Sequence, residues 1–169
     1  MAKLYTVGYE GSKPADLFAS LLESGVKLVI DVRDVPISRK PGFSKTSLSL
    51  GLAGVGIGYL HLKGLGDPKP GRIAAREGRF SDFREIFSKH MASTAAQHAL
   101  TEAVSVASKT VACLLCFEHD HSNCHRCIVA DSMKRRGRFG LVHLAPGPIV
   151  RNIFRGRATS NDRATTHVG

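Results

Sequence analysis

The segment Lys27-Leu28-Val29-Ile30-Asp31-Val32-Arg33 decides the fold class of this chain. It is a nearly continuous apolar run of strand length, and such runs are typical of a parallel strand that is buried on both faces. Before it, Pro14 opens a stretch with apolar side chains at helical spacing, and Gly25 ends that stretch. Residues 3–8 predict an earlier strand. A strand, a helix and a second strand are therefore expected in succession.

The same alternation continues to the end of the apolar pattern. Further elements are predicted as a weak helix over 44–53, a strand over 57–62, helices over 80–91 and 94–108, a strand over 110–116, a helix over 124–136 with Asn123 as its N-cap, and a strand over 141–144. Residues 64–71 are rich in Gly and Pro and predict a loop. The pattern predicts a single, Rossmann-like α/β domain over residues 1–150, with an open, mostly parallel sheet of about five strands and helices on both faces.

Length and composition narrow the class of protein further. The chain has 169 residues, the size of one domain, and 43% of them are hydrophobic, as in ordinary globular proteins. Its apolar runs are far shorter than the roughly 18 residues that a bilayer-spanning helix needs, so no membrane partner is expected. The chain begins with strand-like residues instead of a secretion signal, which predicts a cytoplasmic protein.

Positive charge is concentrated near the C-terminus. The net charge is +10, and residues 134–169 carry eight basic side chains and one acidic side chain, a net +7, which leaves +3 for residues 1–133. We interpret residues 151–169 as a basic, loosely ordered arm. Such an arm either keeps the protein soluble or contacts a polyanion such as nucleic acid.

The four cysteines imitate a zinc-binding pattern, but their predicted placement argues against one four-thiolate site. Cys113 and Cys116 lie in one predicted strand, so their side chains point to opposite faces, roughly 10 Å apart along the chain. We expect Cys113 and Cys127 to be small core residues. A mixed site formed by Cys116, Cys124 and a histidine stays open, and the candidate histidines are His119, His121 and His125.

Cys124 is also a candidate nucleophile. It falls at the predicted start of a helix, with Arg126 two residues on, and both features favour a thiolate. His125 is the neighbouring base candidate, although adjacent residues at a helix start point in different directions. The alternative is that Cys124 is a buried structural thiol that orders its loop.

The predicted topology brings carboxylates together at one edge of the sheet. Glu10, Asp31 and Glu118 each follow a different strand, and ligands of such sheets bind beyond the carboxyl ends of the strands. Carboxylates placed together serve as acid, base or nucleophile, and Arg33, Arg126 and helix amides supply an anion site. The alternative is a structural ion-pair network beneath the loops.

Glycine-rich segments do not indicate a nucleotide cofactor. Residues 54–58 and 64–66 lack the context of a dinucleotide fingerprint and the Gly-Lys-Ser/Thr ending of a P-loop, so no cofactor is predicted. The stretch Arg39 to Lys45 places Phe43 among cations, which suits a nucleotide or a nucleic-acid strand. Phe43 is equally well explained as a buried anchor of its loop.

Four motifs in order resemble the domain-of-unknown-function 488 family. They are Thr6-Val7-Gly8-Tyr9-Glu10-Gly11, Asp31-Val32-Arg33 with Ser38 and Lys40 to Ser44, Tyr59-Leu60-His61-Leu62 with Leu65-Gly66, and Leu115-Cys116-Phe117-Glu118 with Cys124-His125-Arg126. The resemblance spans roughly residues 3–144. It implies a compact α/β domain in the bacterial cytoplasm and adds Ser38 to the site, but it implies no activity. Asp67 departs from the Asn or Gly that members often carry.

Together these residues favour an enzyme, a hydrolase or group transferase, that acts on an anionic, nucleotide-like or nucleic-acid substrate. The candidates for chemistry are Glu10, Asp31, Glu118, Cys124 and His125, and the candidates for substrate binding are Tyr9, Arg33, Ser38, His61 and Arg126. His61 and His125 would relay protons or orient the substrate, and Tyr9 would stack on it or hydrogen-bond to it. Two other classes stay open, a nucleic-acid-binding module that uses the basic arm and a metal-binding protein with a Cys/Cys/His site. The oligomeric state is left open.

Overall fold

A computed structural model describes residues 1–147, which form five strands and six α-helices. The strands are β1 (Lys3–Gly8), β2 (Leu28–Asp31), β3 (Gly58–His61), β4 (Ala112–Cys116) and β5 (Gly140–Leu144). The helices are α1 (Pro14–Glu23), α2 (Lys45–Gly54), α3 (Lys69–Arg76), α4 (Phe80–Met91), α5 (Thr94–Ala107) and α6 (His125–Gly137). Over this range no helix combines the length and apolarity needed to cross a membrane. The predicted arm, residues 151–169, lies outside the described residues.

All five strands belong to one parallel sheet in the order β3-β2-β4-β1-β5. The prediction of an open parallel sheet with helices on both faces is therefore confirmed. The register pairs Gly8 with Cys116 and Asp31 with Leu115, so the carboxyl ends of β1, β2 and β4 stand side by side. Residues that follow these three strands are consequently neighbours.

Two apolar layers enclose the sheet because successive strand residues face opposite sides. In β4, Cys113 and Leu115 join the layer under α1 and α2, whereas Leu114 and Cys116 join the layer under α3 to α6. Every residue of β4 is buried, as expected for a central parallel strand. The opposite directions of Cys113 and Cys116, predicted from the sequence, are confirmed.

Three local predictions were wrong. Residues 64–71 are not all loop, because a 3-10 turn covers Lys63–Leu65 and α3 starts at Lys69, where prolines are tolerated in the first helical turn. Asn123 is not the N-cap of α6, since it ends a short 3-10 turn and Cys124 takes the cap position. Cys127 is half-buried on α6 instead of lying in the core.

Candidate active site

The candidate site lies where the chain leaves neighbouring strands in opposite directions. From β1 the chain passes to α1 on one face of the sheet, and from β4 it passes to α6 on the other face. In open α/β sheets ligands bind in a crevice at such a switch point, and we call the region between these two loops the switch-point crevice. The loops are tied at their base, because the backbone N–H of Glu10 donates to the carbonyl of Phe117 at 2.8 Å.

Asp31 and Arg33 form a buried ion pair at the end of β2. The Arg33 side chain donates from Nε to Asp31 Oδ1 at 2.9 Å and from Nη2 to Asp31 Oδ2 at 2.7 Å, and Tyr59 Oη donates to the same carboxylate at 2.5 Å. Burial acts to lower the pKa of Arg33, but the hydrogen bond and charge of Asp31 outweigh it and raise that pKa. Burial and the bond to Asp31 likewise raise the pKa of Tyr59. Both partners of the pair are thus bonded inside the protein.

Tyr9 belongs to the same buried network. Arg33 Nη1 donates to Tyr9 Oη at 3.1 Å and to the Phe43 carbonyl at 2.7 Å, and the rings of Tyr9 and Phe43 stack with centroids 4.4 Å apart. Phe43 is therefore the buried anchor of its loop, one of the two interpretations that the sequence left open. Lys40 lies above this stack, with Nζ 5.8 Å from the Phe43 ring centroid.

Ser38 and His61 bond to backbone groups near the same edge. Ser38 Oγ accepts from the N–H of Lys40 at 3.1 Å, and the Ser38 backbone bonds in both directions to Ser44 Oγ. His61 Nε2 lies 2.7 Å from the Arg33 carbonyl. These contacts hold the loop that follows β2 in its position.

Two thiols and a carboxylate meet between the end of β4 and the start of α6. Cys116 Sγ lies 2.9 Å from Cys124 Sγ, and Cys124 Sγ donates to Glu118 Oε2 at 3.3 Å. Cys124 also caps α6, since its sulfur accepts the N–H of Arg126 at 3.4 Å. Burial is the main cause that raises the pKa of Cys124, followed by its hydrogen bond to Cys116. We call Cys116, Glu118 and Cys124 the thiol–carboxylate cluster.

Arg126 lies completely buried beneath this cluster. Its Nη1 donates to Cys116 Sγ at 3.0 Å and to the Glu118 carbonyl at 2.7 Å, and its Nε donates to Thr6 Oγ1 at 3.1 Å. Within residues 1–147 it makes no ion pair with a carboxylate. The sulfur of Cys116 is therefore the one group among these contacts that can become an anion.

His125 packs away from the crevice. Its Nε2 lies 2.7 Å from the carbonyl of Val32, and its ring meets the edge of Phe87 at 5.4 Å. Because a carbonyl only accepts, the proton is on Nε2, and Nδ1 lies 3.8 Å from Cys124 Sγ. Burial lowers the pKa of His125, so its imidazole is neutral near pH 7.

Of the three candidate histidines, His125 lies near one of the two thiols, with Nδ1 3.8 Å from Cys124 Sγ. His121 stacks instead on His143, with ring centroids 3.6 Å apart, and His119 contributes backbone atoms that bond to Glu10 and Arg126. The third group that could bind a metal beside Cys116 and Cys124 is Glu118. Within residues 1–147 the close group of possible metal ligands thus contains a carboxylate where the sequence suggested a histidine, and metal binding at these thiols stays a prediction.

Two further acidic residues, Glu10 and Asp67, lie in loops at the carboxyl edge of the sheet, and Asp67 was missed by sequence reasoning. Glu10 Oε1 accepts the N–H of His119 at 3.1 Å, which fastens the loop that carries Glu118. Asp67 is 95% buried at the end of the β3 loop, and its Oδ1 has no hydrogen-bond partner among the described residues. Burial raises the pKa of Asp67 to about 7, with the charge of Glu118 acting in the same direction. The sequence signal that could have found Asp67 is its position in the loop after a strand, since the same criterion selected Glu10 and Glu118.

Fold and site together define a Rossmann-like α/β protein that carries a thiol–carboxylate cluster at its switch point. The chain belongs to the family described as "Domain of unknown function DUF488", whose sequence pattern matches residues 13–133. That match confirms the resemblance drawn from the four motifs, over a shorter range. No curated protein and no solved structure matches the chain.

Proposed function

We propose that this protein is an enzyme, a hydrolase or group transferase, that acts on an anionic substrate of the nucleotide or nucleic-acid class in the switch-point crevice. The observation that carries the proposal is the buried carboxyl group of Asp67, which has an oxygen without a partner in residues 1–147 and lies in the electrostatic range of Glu118. A buried polar atom without a partner is costly to a fold, and such atoms concentrate at functional sites.

Asp67 is suited to move a proton. A general acid or base works best when its pKa is near the working pH, and the pKa of Asp67 is raised to about 7. In a hydrolysis the Asp67 carboxylate accepts the proton of the attacking water. The same proton then passes to the oxygen of the leaving group, which restores the carboxylate. Glu10 and Glu118 keep the loop that follows β4 in place.

The structure changes which cations are available to an anionic substrate. Arg33 and Arg126 are buried and bonded to internal partners, so we assign them to positioning of the loops. Lys40 is half-buried beside the Tyr9–Phe43 stack and forms no ion pair among the described residues. The ammonium group of Lys40 and the guanidinium group of the exposed neighbour Arg39 are therefore better candidates for holding a phosphate than Arg33 and Arg126.

The proposal is tested with the full chain and a panel of generic substrates. Nucleoside mono-, di- and triphosphates are screened for thermal stabilisation, and release of p-nitrophenol from its phosphate mono- and diesters is measured with and without divalent metal ions. We expect turnover that falls about 10²–10⁴-fold in Asp67→Asn, the usual contribution of a proton-transfer group.

Asp82→Asn is the matched control, because Asp82 is an exposed residue in the first turn of α4. It should leave both turnover and the melting temperature unchanged. Absence of any stabilising ligand and of turnover across the panel would overturn the proposal. So would an Asp67→Asn variant that is folded and as active as the natural protein.

A further inference from the structure

We infer that the thiol–carboxylate cluster is a zinc site, with Cys116 Sγ, Cys124 Sγ and Glu118 Oε2 as ligands and a fourth position for water. The three ligand atoms lie within 4.8 Å of one another. The inference rests on the same crevice as the proposed function and deepens it, since zinc would activate the water that the proposed hydrolysis uses. Its test is independent of activity.

One of the two measured separations between ligand atoms is close to that around a tetrahedral ion, and the other is shorter. Zinc–sulfur bonds of about 2.3 Å and zinc–oxygen bonds of about 2.0 Å place sulfur and oxygen ligands about 3.5 Å apart and two sulfurs about 3.8 Å apart. The observed separations are 3.3 Å between Cys124 Sγ and Glu118 Oε2, and 2.9 Å between the two sulfurs. Binding therefore requires the two sulfurs to separate by about 0.9 Å and leaves the sulfur–oxygen distance nearly unchanged.

The charge of the site is compatible with a bound dication. Arg126 is buried without a carboxylate partner among residues 1–147, and an uncompensated buried charge is strongly unfavourable. With both thiols neutral, the charges of Glu118 and Arg126 sum to zero, but Arg126 then donates to an uncharged Cys116 sulfur. Two thiolates 2.9 Å apart would repel each other without a cation between them. Two thiolates, one carboxylate and one guanidinium carry a net charge of −2, which one Zn²⁺ neutralises.

The ligand types select the metal. Thiolates bind zinc in preference to magnesium or calcium, which favour oxygen ligands. Three protein ligands with one open position are typical of catalytic zinc, and Glu118 comes from the solvent-accessible side of the cluster while both cysteines are buried. The ion would therefore meet solvent on the side that faces the crevice.

Groups around the cluster already orient its ligands. Arg126 donates to the Cys116 sulfur from Nη1 at 3.0 Å and to the Cys124 sulfur from its backbone N–H at 3.4 Å. Hydrogen bonds of this kind fix the direction of metal ligands and stabilise their ionised form. Thr6 Oγ1, which accepts from Arg126 Nε, holds the guanidinium in place from the other side.

A disulfide between Cys116 and Cys124 is the competing product of the same geometry. It would form with loss of two protons and two electrons to an added oxidant. The test of the zinc site therefore starts from the reduced chain, in which both sulfurs are available as ligands.

The experiment uses the full reduced chain, freed of metal with a chelator and titrated with Co²⁺ as a spectroscopic substitute and then with Zn²⁺. We expect one ion per chain by elemental analysis, a thiolate-to-cobalt charge-transfer band, and loss of that band when zinc displaces cobalt. Cys116→Ser, Cys124→Ser and Glu118→Gln should each lower zinc affinity at least as much as the roughly 10–100-fold typical for loss of an outer partner.

The chain supplies its own controls, because Cys113 lies in the opposite apolar layer and Cys127 is half-buried on α6. Cys113→Ser and Cys127→Ser should keep the natural affinity and spectrum. Glu118→Gln changes an exposed residue, so it remains informative if a cysteine variant fails to fold. Three results would overturn the zinc site. They are a cobalt spectrum without a thiolate band, equal effects of all four cysteine variants, and a disulfide, detected as a chain that has lost two hydrogen atoms and two reactive thiols.

The two proposals fail separately. One zinc ion bound without turnover on any substrate keeps the metal site and removes the proposed hydrolysis. Turnover that survives both complete chelation and the Glu118→Gln change would support the proposed enzymatic function and contradict the zinc site.

Discussion

The buried pair of Asp31 and Arg33 allows a quantitative prediction. In Asp31→Asn the shape of the side chain is nearly kept, but the charge that faces Arg33 is removed. Arg33 is 6% exposed and its partner is fully buried, so water cannot take over the lost interaction. Breaking a buried pair by removing one charge costs about 3–5 kcal/mol, and asparagine keeps only one of the two acceptor oxygens that Arg33 and Tyr59 share.

We expect Asp31→Asn to lower the free energy of unfolding by about 3–5 kcal/mol, out of a total that is about 5–15 kcal/mol for most domains. For a chain of this length the melting temperature should fall by roughly 6–20 °C. Urea unfolding followed by circular dichroism gives the free energy, and differential scanning calorimetry gives the melting temperature.

Asp34→Asn is the matched control three residues away. Asp34 pairs with Lys63 and Arg72, whose side chains are 68% and 31% exposed, so its loss should cost at most about 1 kcal/mol for each pair, or about 2 kcal/mol in all. Equal costs for Asp31→Asn and Asp34→Asn would refute the reasoning. A double change, Asp31→Leu with Arg33→Met, removes both charges and should recover part of the lost stability.

Three further predictions follow from other parts of the molecule. The raised pKa of Asp67 means that the folded state holds a proton that the unfolded state has lost, so stability should fall as pH rises from about 4 to 7, and Asp67→Asn should flatten that part of the pH–stability curve measured by urea unfolding. Gly8→Ala would place a methyl carbon 1.7 Å from the Glu118 carbonyl oxygen, so this change should lower the stability of the chain and weaken cobalt binding. In the control Gly54→Ala the new methyl group meets no atom within 4 Å, and stability should change by less than about 1 kcal/mol. The nucleic-acid-binding alternative predicts that deletion of residues 151–169, which carry four arginines, lowers the salt slope of duplex binding by up to about 0.9 per arginine in a filter-binding assay.

Local sequence patterns were sufficient for most secondary-structure elements. The apolar run around Ile30 and the helical spacing after Pro14 gave elements that the structure confirms, because burial imposes a period of two on strands and 3.6 on helices. Helix α3 was missed because Pro70 and Gly71 suggest a loop by composition, although both are tolerated near the start of a helix.

The proximity of the candidate site residues was predictable, and their contacts were less so. Residues after β1, β2 and β4 were expected at one edge because parallel strands end together, and the register places them there. Their partners were not predictable. From the sequence, Arg33 could bind either a substrate or Asp31, and only the packing around Tyr9 and Phe43 shows that Arg33 is buried against Asp31. Asp67 shows the same limit, because its pKa depends on burial and on the charge of Glu118.

The sequence by itself determined the strand–helix alternation, the edge of the sheet where the candidate site residues gather and the membership of the family. Only the tertiary structure decided which of those polar groups face each other, because the strand order β3-β2-β4-β1-β5 brings together segments that are distant in sequence. The side chains of Thr6 and Arg126 are 120 positions apart and still 3.1 Å apart in space. Burial then made these contacts decisive, since charged and polar groups removed from water must satisfy one another.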